Sequence, residues 1–162
     1  MPVPKTEKDP AAKGPCPEGT ALVRARDVIG PTPAGFEVLP GDKQRLASVA
    51  AQFREGFGDK WRGYDAKVLV RRDAANGAAV VVVNLHEKVG SDEEYRESAM
   101  AAERASGAEG RPIQIAGREG RLRTAPDGAF VATAPAGTCA LVAVMADTGK
   151  LLLDAVEVMR PR

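Results

Sequence analysis

Four consecutive valines, Val80–Val83, constrain this chain more than any other feature. Side chains alternate between the two faces of a strand, so an apolar run on both parities fits a strand covered on both sides. Asn76-Gly77 precedes the run and is a two-residue turn signal. AKVLVRRD stands before that turn, so AKVLVRRD and AAVVVVNLHEK read together as a β-hairpin whose second arm lies inside a sheet. Something must then cover both faces, and the rest of the chain has to supply it.

Two segments have the periodicity for that task. In DKQRLASVAAQFREGF, Leu46, Val49, Phe53 and Phe57 recur at spacings of three and four, which makes one apolar stripe. Asp42 caps its start and Gly58 its end. In SDEEYRESAMAAERASG, Ser91 and Glu94 have capping-box spacing, three acids fill the first turn, and Gly107 stops the helix. Tyr95, Ala99 and Ala102 are expected on its buried face. TGKLLLDAVEVMRPR reads as a third helix, with Leu152, Ala155, Val156 and Met159 as its stripe and Thr148 as its cap; a strand is the alternative.

The remaining segments read as strands. TALVRARDVIG is expected to be a short strand or extended segment, and GFEVLPG another. RPIQIAG, GRLRTA, AFVATA and CALVAVM follow, separated by turns at PDG and PAGT. Helices are too few for a doubly wound parallel sheet. The expected fold is α+β: an antiparallel β-sheet with two or three amphipathic helices packed on it. Residues 1–18, rich in proline and mixed charge, read as a flexible linker or tail, and residues 19–162 as one domain.

The 162 residues are 44% hydrophobic but only 4% aromatic, so the core is expected to consist of small aliphatic groups with few large pockets. With 23 basic and 22 acidic residues the net charge is +1. That lacks the basic excess typical of nucleic-acid binders and of polybasic membrane anchors. No apolar run approaches the roughly 18 residues of a membrane-spanning helix. The opening stretch has no apolar core of the signal-peptide kind.

The two cysteines, Cys16 and Cys139, lie in no metal-ligand spacing, and no metal or cofactor is expected. A bridge between them would tie the start of the domain to its interior and imply an oxidising compartment. Two unconnected thiols are the alternative, as in a cytoplasmic protein.

Candidate chemistry is sparse. Gly117-Arg118-Glu119-Gly120 has the spacing of the GxxG loop that clamps phosphates between two helices in KH domains. Here a strand precedes it and a turn follows closely, so a turn or bulge between strands is the preferred reading. Arg118, Arg121 and Arg123, with Arg71 and Arg72 nearby, form a candidate anion- or partner-binding patch; their alternative role is to solubilise an exposed strand. Trp61 and Tyr64 form the densest aromatic spot and a candidate binding surface, with Trp61 also suited to anchor the end of the first helix. His86, the lone histidine, is expected to share a strand face with Asn84, and no nucleophile or acid accompanies it in a catalytic pattern. The carboxylates Asp92, Glu93, Glu94 and Glu97 are explained by helix capping. No catalytic residue is assigned.

GFEVLPG, the hairpin KVLVRRD…AAVVVVNL, the acid-capped SDEEYRESAM, IQIAGREGRLR, CALVAVM and LLLDAVEVM occur in an order that resembles the Mog1/PsbP-like α/β/α sandwich of bacterial secreted proteins and lipoproteins. The similarity runs from about Gly35 to Met159. It implies a non-enzymatic domain that binds another protein or cell-envelope component. A non-catalytic extracytoplasmic interaction domain is therefore the expected function. The alternatives are a nucleic-acid module using the GREG loop and a small enzyme with an unrecognised site.

Overall fold

A computed structural model describes residues 14–31, 35–72, 77–125 and 127–159. Helix α1 (Ala25–Ile29) precedes strand β1 (Phe36–Leu39) and helix α2 (Lys43–Phe57). Strands β2 (Trp61–Arg71) and β3 (Gly77–Leu85) follow, then helix α3 (Asp92–Ser106). The last third is β4 (Gly110–Ile115), β5 (Arg118–Thr124), β6 (Phe130–Gly137), β7 (Ala140–Ala146) and helix α4 (Gly149–Val158). The strands form one antiparallel sheet in the order β1-β2-β3-β7-β6-β5-β4. Two meanders, β1-β2-β3 and β4-β5-β6-β7, are thus zipped together between β3 and β7. The fold class agrees with the pattern of segments.

The valine run is the reason the sheet is two-sided. Val80, Val82 and Val144 pack with Ile29 of α1 and Leu152, Ala155 and Val156 of α4. Val81 and Val83 point the other way and meet Leu46, Val49, Phe53 and Phe57 of α2. All four valines of β3 are at most 1% exposed. Helix α3 lies on the α2 side, over β5 and β6. Its Tyr95 reaches Thr133, whose neighbours Ala132 and Ala134 face the α1/α4 core. The small residues Ala132, Ala134, Ala140 and Ala146 dominate that core's floor.

The ends of the elements follow the expected chemistry. Asp42 accepts a hydrogen bond from Arg45 N at the start of α2, and Ser91 and Glu94 form the reciprocal capping box of α3. Thr148 accepts from Leu151 N at 3.2 Å, and the terminal segment is a helix rather than a strand. The hairpin of β2 and β3 is present, with its turn outside the described residues. Most of the expected N-terminal linker, residues 1–13, also lies outside them.

Four local expectations need correction. TALVRARDVIG is extended only to Arg24; Ala25, Val28 and Ile29 then form the buried face of the short helix α1. Arg24 N and Ala25 N at its start are bonded by the carboxylates of Asp27 and Asp65, at 2.9 and 2.7 Å. Second, Ala102 is exposed and Glu103 takes its place on the inner face of α3. Third, Cys139 lies in the turn before β7, not in the strand, while the PAG segment belongs to β6. Fourth, His86 and Asn84 do not share an environment: Asn84 is 3% exposed, while His86 lies beyond the strand end in solvent.

Both margins of the sheet are short or interrupted. β1 has four residues, and β4 carries Pro112 opposite Arg121. Proline removes a backbone donor, so it suits an outer strand.

Glycine at 120 answers a steric demand. A Cβ there would overlap the carbonyl oxygen of Thr133 and press on Ala134 Cβ. Gly120→Ala is therefore expected to cost about 2 kcal/mol from overpacking, measured by chemical denaturation.

Candidate functional site

The GREG stretch divides between a turn and a strand. Ala116 (φ 49°) and Gly117 (φ 83°) make a two-residue turn with both residues in the left-handed region. Arg118, Glu119 and Gly120 belong to β5 and pair with Ile115, Gln114 and Ile113. The stretch therefore joins two strands and no helices, as the preferred reading holds.

The three arginines of the candidate patch meet different fates. Arg118 donates two hydrogen bonds to Asp92 in the first turn of α3. Arg121 makes a bidentate pair with Glu103, Nε to Oε2 at 3.0 Å and Nη2 to Oε1 at 2.9 Å. Both side chains are largely buried, at 11% and 8% exposure. Arg123 shares the same strand face and is exposed. Arg96 of α3 also approaches Glu119 at 3.6 Å. Two of the three guanidinium groups are thus engaged by α3. Arg71 pairs with Asp154 at 2.7 Å, and Arg72 is exposed.

This ladder is what docks α3, because Glu103 is its only fully buried residue. The Arg121 guanidinium holds the Glu103 carboxyl below the ordinary carboxylate range, against the opposing effect of burial. Glu103 in turn pushes Arg121 up. Burial raises Tyr95 despite its 2.6 Å hydrogen bond to Thr133 Oγ1. The space for the Glu103 carboxylate is left by Gly110, where any Cβ would collide with it. Sequence periodicity missed Glu103 because an apolar stripe selects Ala102; the signal was Arg121 on the facing strand.

Trp61 and Tyr64 lie beneath the end of α2, their ring centroids 6.1 Å apart. Trp61, like Phe53 and Phe57, packs against the cluster of Leu46, Val81, Val83 and Leu85, while Tyr64 is 42% exposed. His86 borders a shallow hollow with Asp59, Lys60 and Glu87; its backbone bonds Lys60 O and Cys16 N. Among the described residues, no group of three or more His, Cys, Asp or Glu side chains is arranged to hold a metal. No described helix is long and apolar enough to cross a membrane.

A second apolar hollow lies elsewhere, on the α1 side of the sheet. A cleft of about 520 Å³ runs between the N-terminal strap and the rim formed by β5 and β6. Ala21, Leu22, Val23 and Val28 form one wall; Ala116, Pro135 and Ala136 form the other. A bulge between Pro135 and Gly137 displaces Ala136 from the regular ladder. Leu22 is 52% exposed, the highest of the large apolar residues described.

Two polar side chains, buried Asn84 and half-buried Asp65, hold the strap. Asn84 accepts from Val23 N at 2.8 Å and donates to Val23 O at 3.0 Å, copying one rung of a β-ladder. Asp65 receives Ala25 N. Upstream, Cys16 is bonded to Cys139. Cys16 N donates to His86 O, and Lys88 N to Gly14 O. Residues 14–16 are therefore tied to the sheet end. The bridge agrees with the cysteine expectation; Asn84 and the cleft were not legible in the sequence.

No protein-family model, curated protein or solved structure matches this chain.

Glu103→Gln is expected to destabilise the domain by about 3 kcal/mol, because Arg121 loses its charged partner. The double variant Glu103→Leu/Arg121→Met is expected to recover most of that loss. The Glu103 carboxyl titrates lower in the folded protein than in the unfolded chain. Its contribution is thus complete above its unfolded value and disappears as pH falls through the folded one. The advantage of wild type over Glu103→Gln should therefore shrink on acidification, in denaturant titrations at a series of pH values. Asn84→Ala is expected to cost about 2 kcal/mol by leaving the Val23 amide and carbonyl without partners.

Proposed function

We propose that this protein is a non-catalytic extracytoplasmic interaction domain that binds another protein through the cleft beside Leu22. The observation that carries the reading is the lining of that cleft. Six aliphatic residues, three alanines of the strap and rim among them, meet one proline and two charged side chains. Asp27 is committed to Arg24 N, and Arg118 to Asp92. Small-ligand sites use a few converging polar groups to orient the molecule, and here the polar groups are already engaged. An open apolar cleft with an exposed leucine at its lip suits a protruding apolar side chain of a partner protein.

The Cys16–Cys139 bridge supports an oxidising compartment, where such bonds persist. The resemblance of the sequence to Mog1/PsbP-like domains points to the same class of role.

Leu22→Asp and Ala21→Glu change exposed positions and should leave stability within about 0.5 kcal/mol. Both are expected to weaken binding of the protein that cross-links to wild type in an envelope extract, by at least about tenfold once that protein is purified. Tyr64→Ser serves as a control away from the cleft. Equal binding by wild type and both cleft variants would overturn the proposal. So would binding that disappears with modest salt and is restored by RNA as the ligand.

A further inference from the structure

We propose that the Cys16–Cys139 bond is a redox latch that sets the shape of the cleft. The inference concerns regulation of the site proposed above and rests on that reading for its functional meaning. Its structural content stands on the path of the chain.

The two walls of the cleft converge on the bond. One wall continues upstream from Ala21 to Cys16; the other, Pro135–Ala136, leads through the turn at 138–139 to Cys139. Gly137 lies against Val23, where an added Cβ would come within 3.6 Å of Val23 Cγ2. Neither cysteine lines the cleft; the bond joins the chain five residues before Ala21 to the chain three residues after Ala136, and so links its two walls.

Between Cys16 and Val23 the strap is held by little else. Among the described residues, the hydrogen bonds of segment 17–22 are local, Thr20 N and Oγ1 both donating to Pro17 O. Residues 17–19, 21 and 22 are exposed. Downstream of the gap the anchors are strong: the double bond of Asn84 to Val23, the bond of Asp65 to Ala25, and the burial of Val28 and Ile29. Upstream of it, apart from the disulfide, the strap's hydrogen bonds to the sheet among the described residues are Cys16 N–His86 O and Lys88 N–Gly14 O. Breaking the disulfide releases one end of a wall; Cys139 is buried, but neither cysteine belongs to the two apolar clusters that hold the sheet.

Access favours reaction at one sulfur. Cys16 is half-buried, whereas Cys139 is 6% exposed. A thiolate of an external dithiol attacks Cys16 Sγ; the S–S bond breaks, and Cys139 leaves as a thiolate that takes a proton from water. The second thiol of the dithiol then attacks the mixed disulfide and frees Cys16 as a thiol. The protein's cystine gains two electrons, and the dithiol is oxidised to a disulfide. With only two cysteines in the chain, no internal reshuffling competes.

Hydrogen-exchange mass spectrometry on the full chain tests the latch, before and after dithiothreitol and in Cys16→Ser/Cys139→Ser. The hydrogen-bonded amides of residues 16 and 88 are expected to exchange at least about tenfold faster without the bond, while peptides covering Val80–Val83 and 140–146 keep their protection. Unchanged exchange at residues 16 and 88 after confirmed reduction would overturn the proposal. Equal acceleration in β3 and β7 would also overturn it, since the bond would then hold the whole fold and not one wall. Asn84→Ala with the bond intact provides the counterpart: Val23 should lose protection while Cys16 keeps its own. Failure of the cleft variants to change partner binding would sink the functional reading and leave this exchange pattern untouched, so the two failures are separable.

Discussion

The burial of β3 on both faces governs the architecture. A strand of valines on both parities has no solvent side, so neither layer of helices is optional. α1 and α4 exclude water from Val80 and Val82, and α2 does so for Val81 and Val83. The antiparallel order follows from the same demand. Placing β3 against β7 gives the strand neighbours on both edges, which also satisfies its backbone groups.

Helices α3 and α4 are attached by different forces. α4 presents Leu151, Leu152, Ala155 and Val156 and is held by apolar burial. α3 has no comparable stripe and is held by ion pairs and the Tyr95–Thr133 hydrogen bond. Charge pairing gains little at exposed positions, so the enclosed Glu103–Arg121 pair gives this helix its register on the sheet. Such a pair tolerates no sliding by one residue, whereas an alanine-rich face would. Two of the arginines that look available in the sequence are thus part of the fold's own joinery.

Much of the fold was legible because it depends on neighbours in the chain. Periodicity marked α2 and α4, the Ser91–Glu94 spacing marked α3, and Asn76-Gly77 marked the central hairpin. What escaped were interactions between distant positions. Asn84 meets Val23 across 61 residues, and Glu103 meets Arg121 across two elements. An asparagine at the end of an apolar strand carries no local sign that it will imitate a backbone. α1 escaped because five residues are too few for a periodic pattern, and its start is bonded by Asp65, forty positions away. The cysteines were legible as a pair, since two in a chain without metal-ligand spacing leave few alternatives. The cleft was not, because its walls come from segments far apart in sequence.

The proline in the outermost strand has a further consequence. A sheet whose last strand offers an incomplete row of amide donors at Pro112, and whose first strand spans only Phe36–Leu39, gives a foreign β-strand little to zip onto. Crowding many copies together should then yield a clear solution and not fibrils, and association has to proceed through side chains on the broad faces of the molecule.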